Sequence, residues 1–155
     1  MKSVLFVCLG NICRSPIAEG VFRELLTERG WSEQVRVDSA GTSGFHQGEP
    51  PDRRSIHVCS THGLHIGGQR SRRVVGSDFT NFDLIVAMDR SNEADLRAMA
   101  GSECTAQIVR LLEYGGSELE DVPDPYYGGD GGFQHVFDLV SDAMKALLDS
   151  HDWRR

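Results

Sequence analysis

Thirteen residues near the N-terminus constrain this chain more than any other stretch: Val4-Leu5-Phe6-Val7-Cys8-Leu9-Gly10-Asn11-Ile12-Cys13-Arg14-Ser15-Pro16. Val4 to Val7 form an unbroken apolar run, the mark of a short strand buried on both faces. The run stops at Gly10-Asn11, two residues that tolerate the positive φ of a tight curl. Ser15 and Pro16 then read as a helix N-cap and a first helical position. A strand, a tight loop and a helix start turn successive backbone N–H groups into one concavity, a geometry that binds anions. Cys8 opens the loop where the strand ends, and Arg14 closes it with five residues between them.

That spacing has a chemical reason. Cysteine attacks as its thiolate and needs surroundings that favour the anion. A ring of N–H dipoles, a helix N-terminus and an arginine provide them, and they also suit the equatorial oxygens of a phosphoryl group under in-line attack. The planar fork of Arg14 binds two oxygens at once, which lysine cannot do. The Ser15 hydroxyl is placed to donate to the sulfur when it departs. Asn11 holds the loop's shape, and the loop with Arg14 supplies the charge stabilisation, so no metal or cofactor is needed. Such chemistry also calls for an acid to protonate the leaving oxygen. The glycine-rich stretch 113–132 offers Glu120, Asp121, Asp124 and Asp130. Asp124 stands out because Pro125 and two tyrosines follow it.

The rest of the chain supplies a frame for this loop. Ile17, Ala18, Val21, Phe22, Leu25 and Leu26 recur at helical spacing up to about Arg29. A strand at 35–37 follows, then a loop over 39–48 that carries Phe45. Pro50-Pro51 opens a helix that ends near Gly63. A further strand at 82–88 has Asp89 at its end, and Ser91 caps a helix to about Met99. A last strand at 107–111, a loop over 113–132 and a helix from Phe133 complete the series. Strands alternating with helices imply an α/β fold, a doubly wound parallel four-stranded sheet with helices on both faces. Such sheets bind ligands at the carboxyl ends of their strands, where Cys8, Ser39 and Asp89 fall.

The length of 155 residues suits one domain, 1–155. Acidic residues outnumber basic ones by 23 to 16, which argues against nucleic acid or an anionic membrane as partner. The apolar run after Met1-Lys2-Ser3 is too short for a signal peptide, and no segment is long enough to span a bilayer, so the expected location is cytoplasmic. Cys8, Cys13, Cys59 and Cys104 are too sparse for a secreted disulfide framework. His57, Cys59, His62 and His65 invite a metal reading. However, His57 and His62 fall on different sides of their helix and Gly63 interrupts the set, so no metal site is expected.

The run Cys8 to Pro16 resembles the phosphate-binding loop of the low-molecular-weight protein tyrosine phosphatases. The resemblance extends through Asp38-Ser39-Ala40-Gly41-Thr42, Asp78-Phe79, Phe82-Asp83-Leu84-Ile85, Met88-Asp89 with Ser91-Asn92, and Asp124-Pro125-Tyr126-Tyr127. It implies hydrolysis of protein phosphotyrosine and small aryl phosphates through a phosphocysteine on Cys8, with Asp124 as the general acid. It also implies the strand order two-one-three-four. Leu9, Gly10, Asn11, Ile12, Cys13 and Ser15 would surround the phosphoryl group. Phe45, Tyr126 and Tyr127 would wall the aryl ring, and Ser39, Arg72 and Asp89 would brace the loops. Members of the family often carry the Cys8–Cys13 pair, which implies redox protection by a disulfide, and the tyrosine pair can itself be phosphorylated. Expected partners are tyrosine-phosphorylated proteins and a cognate tyrosine kinase, with inorganic phosphate as product.

Three rivals share parts of this pattern. Arsenate reductases of this fold need a close relay pair of cysteines, whereas Cys59 and Cys104 lie far apart in sequence. Phosphoarginine phosphatases tend to carry threonine where this chain has Ile12. A phosphotyrosine-binding decoy would lack Cys8, Arg14 or Asp124, and all three are present.

Overall fold

In a computed structural model, which describes residues 1–115, 118–128 and 130–153, the apolar run becomes β1 (Ser3–Cys8), buried at every position. It lies inside a sheet of order β2-β1-β3-β4, with β2 (Arg36–Gly41), β3 (Leu84–Ala87) and β4 (Gln107–Arg110). All three pairings are parallel. The pleat sends alternate side chains to opposite faces. Val4, Phe6 and Cys8 enter a large core shared with α1 (Arg14–Glu28), α2 (Arg53–Thr61) and α5 (Asp130–Ser150). Leu5 and Val7 enter a smaller one closed by α3 (Asp78–Asn81) and α4 (Arg90–Met99). A strand with cores on both sides has no polar face to show, which is why Val4 to Val7 do not alternate with polar residues. Phe22 anchors α1 between Phe6 and Trp153, with ring centroids 5.5 and 5.2 Å away. Truncating it to alanine would cost about 3–5 kcal/mol.

The structure departs from the sequence reading at several element ends. Ser39, Ala40 and Gly41 are not loop but the end of β2, paired with Phe6, Val7 and Cys8. Their small side chains gave no strand signal, and pairing to β1 decides their conformation. Gly41 has no room for a side chain, because a Cβ would lie 2.6 Å from the Leu9 carbonyl oxygen. Helix α1 begins at Arg14 with Cys13 at the cap position, so Ser15 and Pro16 lie within the first turn rather than at its boundary. Proline is tolerated there because the N–H groups of the first turn have no partner in the helix. The cap of α4 is Asp89, whose side chain accepts from the Asn92 N–H, and not Ser91. Helix α3 carried too few residues to show a period, and α5 starts three residues before Phe133. No helix among the described residues is long and apolar enough to cross a membrane.

Candidate active site

The loop between β1 and α1 is held from outside by its carbonyls. Cys8 and Leu9 oxygens accept from the N–H groups of Thr42 and Ser43, and the Ile12 oxygen from that of Asp52. The Gly10 and Cys13 oxygens accept from the hydroxyls of Ser71 and Ser55. No acceptor among the described residues takes the N–H groups of Leu9 to Arg14. Asn11 makes the turn at φ 56°, in the left-handed region that asparagine tolerates.

Behind the loop, a chain of hydrogen bonds fixes the direction in which Ser15 donates. Asn11 Oδ1 accepts from the Arg72 N–H at 3.0 Å, so its amide nitrogen faces the other way. That nitrogen donates to Ser15 Oγ at 2.8 Å and Ser39 Oγ at 3.0 Å. Ser39 spends its own proton on the Glu19 carboxylate at 2.8 Å, and Arg23 pairs with the far oxygen of Glu19 at 2.9 Å. Ser15, already accepting from Asn11, has its proton left for Cys8 Sγ, 3.0 Å away, with the Ala40 carbonyl a more distant acceptor at 3.5 Å. The buried carboxylate thus orders the network so that a hydroxyl donor points at the sulfur.

Arg14 is almost wholly buried, with 2 % of its surface exposed. Its Nη1 donates to Asp89 Oδ2 at 2.5 Å and to the Val122 carbonyl at 2.9 Å, while Nη2 lies 3.7 Å from Asp124 Oδ2. Burial alone would lower the pKa of this guanidinium. The Cys8 sulfur, Asp89 and Asp124 outweigh that and hold it above its ordinary value. The Asp89 carboxylate does two jobs, since Oδ1 caps α4 while Oδ2 fixes Arg14. Arg72 ties a second pair of segments together through Asp38 and Asp78. Burial pushes the Cys13 thiol up to about 12, helped by the nearby Asp52, Cys8 and Asp124.

Cys8, Arg14 and Asp124 line one cavity of 370 Å³, together with Leu9, Gly10, Ile12 and Cys13 of the loop. Phe45, Tyr126 and Tyr127 form its rim. Phe45 and Tyr127 are 86 % and 95 % exposed, so neither is spent on packing the interior. Asp124 is the one carboxylate among the described residues that reaches this cavity. Glu120 and Asp121 pair instead with Arg90, and the side chain of Asp130 lies outside the described residues. Asn11, Ser15, Ser39, Arg72 and Asp89 do not line the cavity; they stand behind it. His57, Cys59, His62 and His65 do not converge, and His62 stacks on Phe137 with ring centroids 4.0 Å apart.

Three contributors escaped the sequence reading. Glu19 had a signal, because a carboxylate there interrupts the apolar face formed by Ile17, Ala18, Val21 and Phe22. Nothing in the sequence singled out His46, which sits between Phe45 and Tyr126 on the rim. The Val122 carbonyl is a backbone group and leaves no mark in the side-chain pattern.

Comparison with known proteins agrees with this geometry. The model of a family described as low molecular weight phosphotyrosine protein phosphatase matches residues 3–153. The chain is 46 % identical over 151 residues to the low molecular weight protein-tyrosine-phosphatase YfkJ of Bacillus subtilis, covering 97 % of this chain and 96 % of that one. It is similar to a protein tyrosine phosphatase from Entamoeba histolytica, with a TM-score of 0.92, 39 % identity, and 97 % and 96 % of the two chains covered. A Drosophila arginine phosphatase superposes with a TM-score of 0.90, 36 % identity and 97 % of each chain covered.

Proposed function

The chain belongs to the low molecular weight phosphotyrosine protein phosphatase family, a family of hydrolases, and from that premise we propose that it cleaves aryl phosphoesters of protein phosphotyrosine in two steps. The observation that carries this reading is a single cavity holding a thiol, a buried guanidinium and a half-exposed carboxyl. In the first step the Cys8 thiolate attacks phosphorus and the bond to the aryl oxygen breaks, while Asp124 gives that oxygen its proton. In the second, water attacks the phosphocysteine and Asp124 takes a proton from it. Inorganic phosphate leaves, and the sulfur departs as an anion that receives the Ser15 hydrogen bond. The loop N–H groups from Leu9 to Arg14 and the Arg14 fork take up the charge of the phosphoryl oxygens.

Phe45, Tyr126 and Tyr127 provide the aryl contact that a phosphotyrosine ring fills and a phosphoserine does not. Ile12 supports a phosphoester over phosphoarginine, because its apolar side chain offers a guanidinium no acceptor. Ser39, Arg72 and Asp89 act by keeping the loop and Arg14 in place. Cys13 serves as a redox partner: peroxide oxidises Cys8 to the sulfenic acid, the Cys13 thiol displaces water from it, and a disulfide results. We read 1–155 as one phosphatase domain acting on tyrosine-phosphorylated proteins. A reducing, cytoplasmic setting fits its four free thiols. The test is a steady-state comparison of phosphotyrosine, phosphoserine, phosphoarginine and arsenate. The expected order puts phosphotyrosine first by a wide margin; preference for phosphoarginine or arsenate would overturn the reading.

A further inference from the structure

The cavity around Cys8 adjoins a second one of 860 Å³, and the two share Ile12, His46 and Tyr126 as walls. The phosphoryl chemistry uses none of this space. If compact, it is about 9.5 Å across, the span of roughly three extended residues. Its charged lining divides into groups already committed and groups still open. Glu49 is taken by His46, and Asp52 by Arg54 through both carboxylate oxygens. Arg54 also donates to the Tyr126 and Gly128 carbonyls and lies over the Phe133 ring, 4.5 Å from its centroid, so its guanidinium is spent on holding the wall.

Arg53 and His57 differ. They stand four residues apart on α2, hence on one face, and both are exposed. Neither side chain makes a hydrogen bond or ion pair among the described residues, and Arg53 meets Asp52 only as a charge through space. The carboxylates of the groove are therefore committed internally, while its uncommitted basic groups are a guanidinium and an imidazole, on a chain whose net charge is −7.

We infer that this groove receives the segment of the phosphoprotein next to the phosphotyrosine, and that Arg53 with His57 selects an acidic side chain in that segment. The inference rests on the phosphatase reading above and adds a specificity to it. The occupant is peptide rather than a second small molecule, because the groove lies directly beside the site that takes the phosphorylated residue and shares three wall residues with it. An exposed pair of opposite charges gives a modest preference, about 2- to 5-fold per contact at low salt.

The test measures kcat/KM on three phosphotyrosine peptides whose flanking residues are aspartate, alanine or lysine, with p-nitrophenyl phosphate as a substrate that does not reach the groove. For the parent protein the aspartate peptide should exceed the lysine peptide by about 5- to 20-fold. Arg53→Glu should erase or reverse that order and leave p-nitrophenyl phosphate turnover unchanged. The substitution places an acid in the first turn of α2, which that helix end favours, so the variant should fold. His57→Ala should reduce the preference by a smaller factor, and 0.5 M salt, which shortens the Debye length to about half its physiological value, should flatten it. Equal kcat/KM on all three peptides, with p-nitrophenyl phosphate turned over normally, would overturn the inference alone. Absence of turnover on every substrate would instead overturn the phosphatase reading.

Discussion

Replacing Asp89 with asparagine should loosen Arg14 and α4 together. The carboxylate serves two donors, Arg14 Nη1 at 2.5 Å and the Asn92 N–H at 2.6 Å. An asparagine has one acceptor oxygen for both and carries no charge. Removing one partner of a buried ion pair typically costs about 3–5 kcal/mol. Arg14 keeps the Val122 carbonyl and a distant Asp124, so the cost should fall at or just below the bottom of that range, roughly 2–3 kcal/mol. At roughly 2–4 °C per kcal/mol for a chain of this length, the melting temperature should fall by about 4–12 °C. Asp89→Ala, which loses both contacts, should fall by about 1 kcal/mol more, the usual value of a cap. A displaced guanidinium should also lower kcat/KM by on the order of 10²-fold. Thermal unfolding and p-nitrophenyl phosphate kinetics on the same samples measure both effects. An asparagine variant that unfolds with the parent and retains its kcat/KM would refute the reasoning.

Other outcomes follow from the same geometry. Asp124→Ala should slow aryl phosphates with basic leaving groups by about 10²–10⁴-fold and those with acidic leaving groups far less; a uniform loss would point to another acid. After peroxide, dithiothreitol should restore activity to the parent but poorly to Cys13→Ser, and equal recovery would refute the disulfide. Cys13 and Cys59 have thiols raised from 9.0 to about 12 in the folded protein, chiefly by burial. A raised thiol pKa means that the unfolded chain loses these protons first. Their stabilising effect is therefore complete below pH 9 and is lost as the pH rises toward 12. Stability should decline across that window by about 1.4 kcal/mol per pH unit for each thiol, and Cys59→Ala, compared with its own value at pH 8, should show a shallower decline in denaturant titrations.

Much of the site was legible because it is local. Cys8, the loop and Arg14 lie within one short stretch, so strand, turn and helix signals met at consecutive positions. The sheet was legible for a related reason, since strands buried on both faces leave unbroken apolar runs. What escaped depends on groups distant in sequence. Ser39 to Gly41 form a strand because β1 pairs with them, and the second role of Asp89, holding Arg14 while it caps α4, joins residues 75 positions apart. Pro125 and the tyrosine pair mark Asp124 among the candidate acids, and resemblance to a family selects it over Glu120 and Asp121. The structure adds the physical side, with Arg90 drawing the two competitors away and Asp124 left facing the cavity. Glu19 became meaningful only once Ser39 and Asn11 were seen to connect it to the sulfur.

The central claim is that a phosphoryl group passes through Cys8, and rapid quenching tests it most directly. Asp124→Ala, mixed with p-nitrophenyl phosphate and quenched within the first turnover, should accumulate phosphocysteine because water attack on the intermediate lacks its base. Peptide mass spectrometry should find the added phosphoryl group on the peptide containing Cys8, and Cys8→Ser should show neither the adduct nor turnover. A phosphoryl group found on another residue, or substantial turnover by Cys8→Ser, would contradict the account.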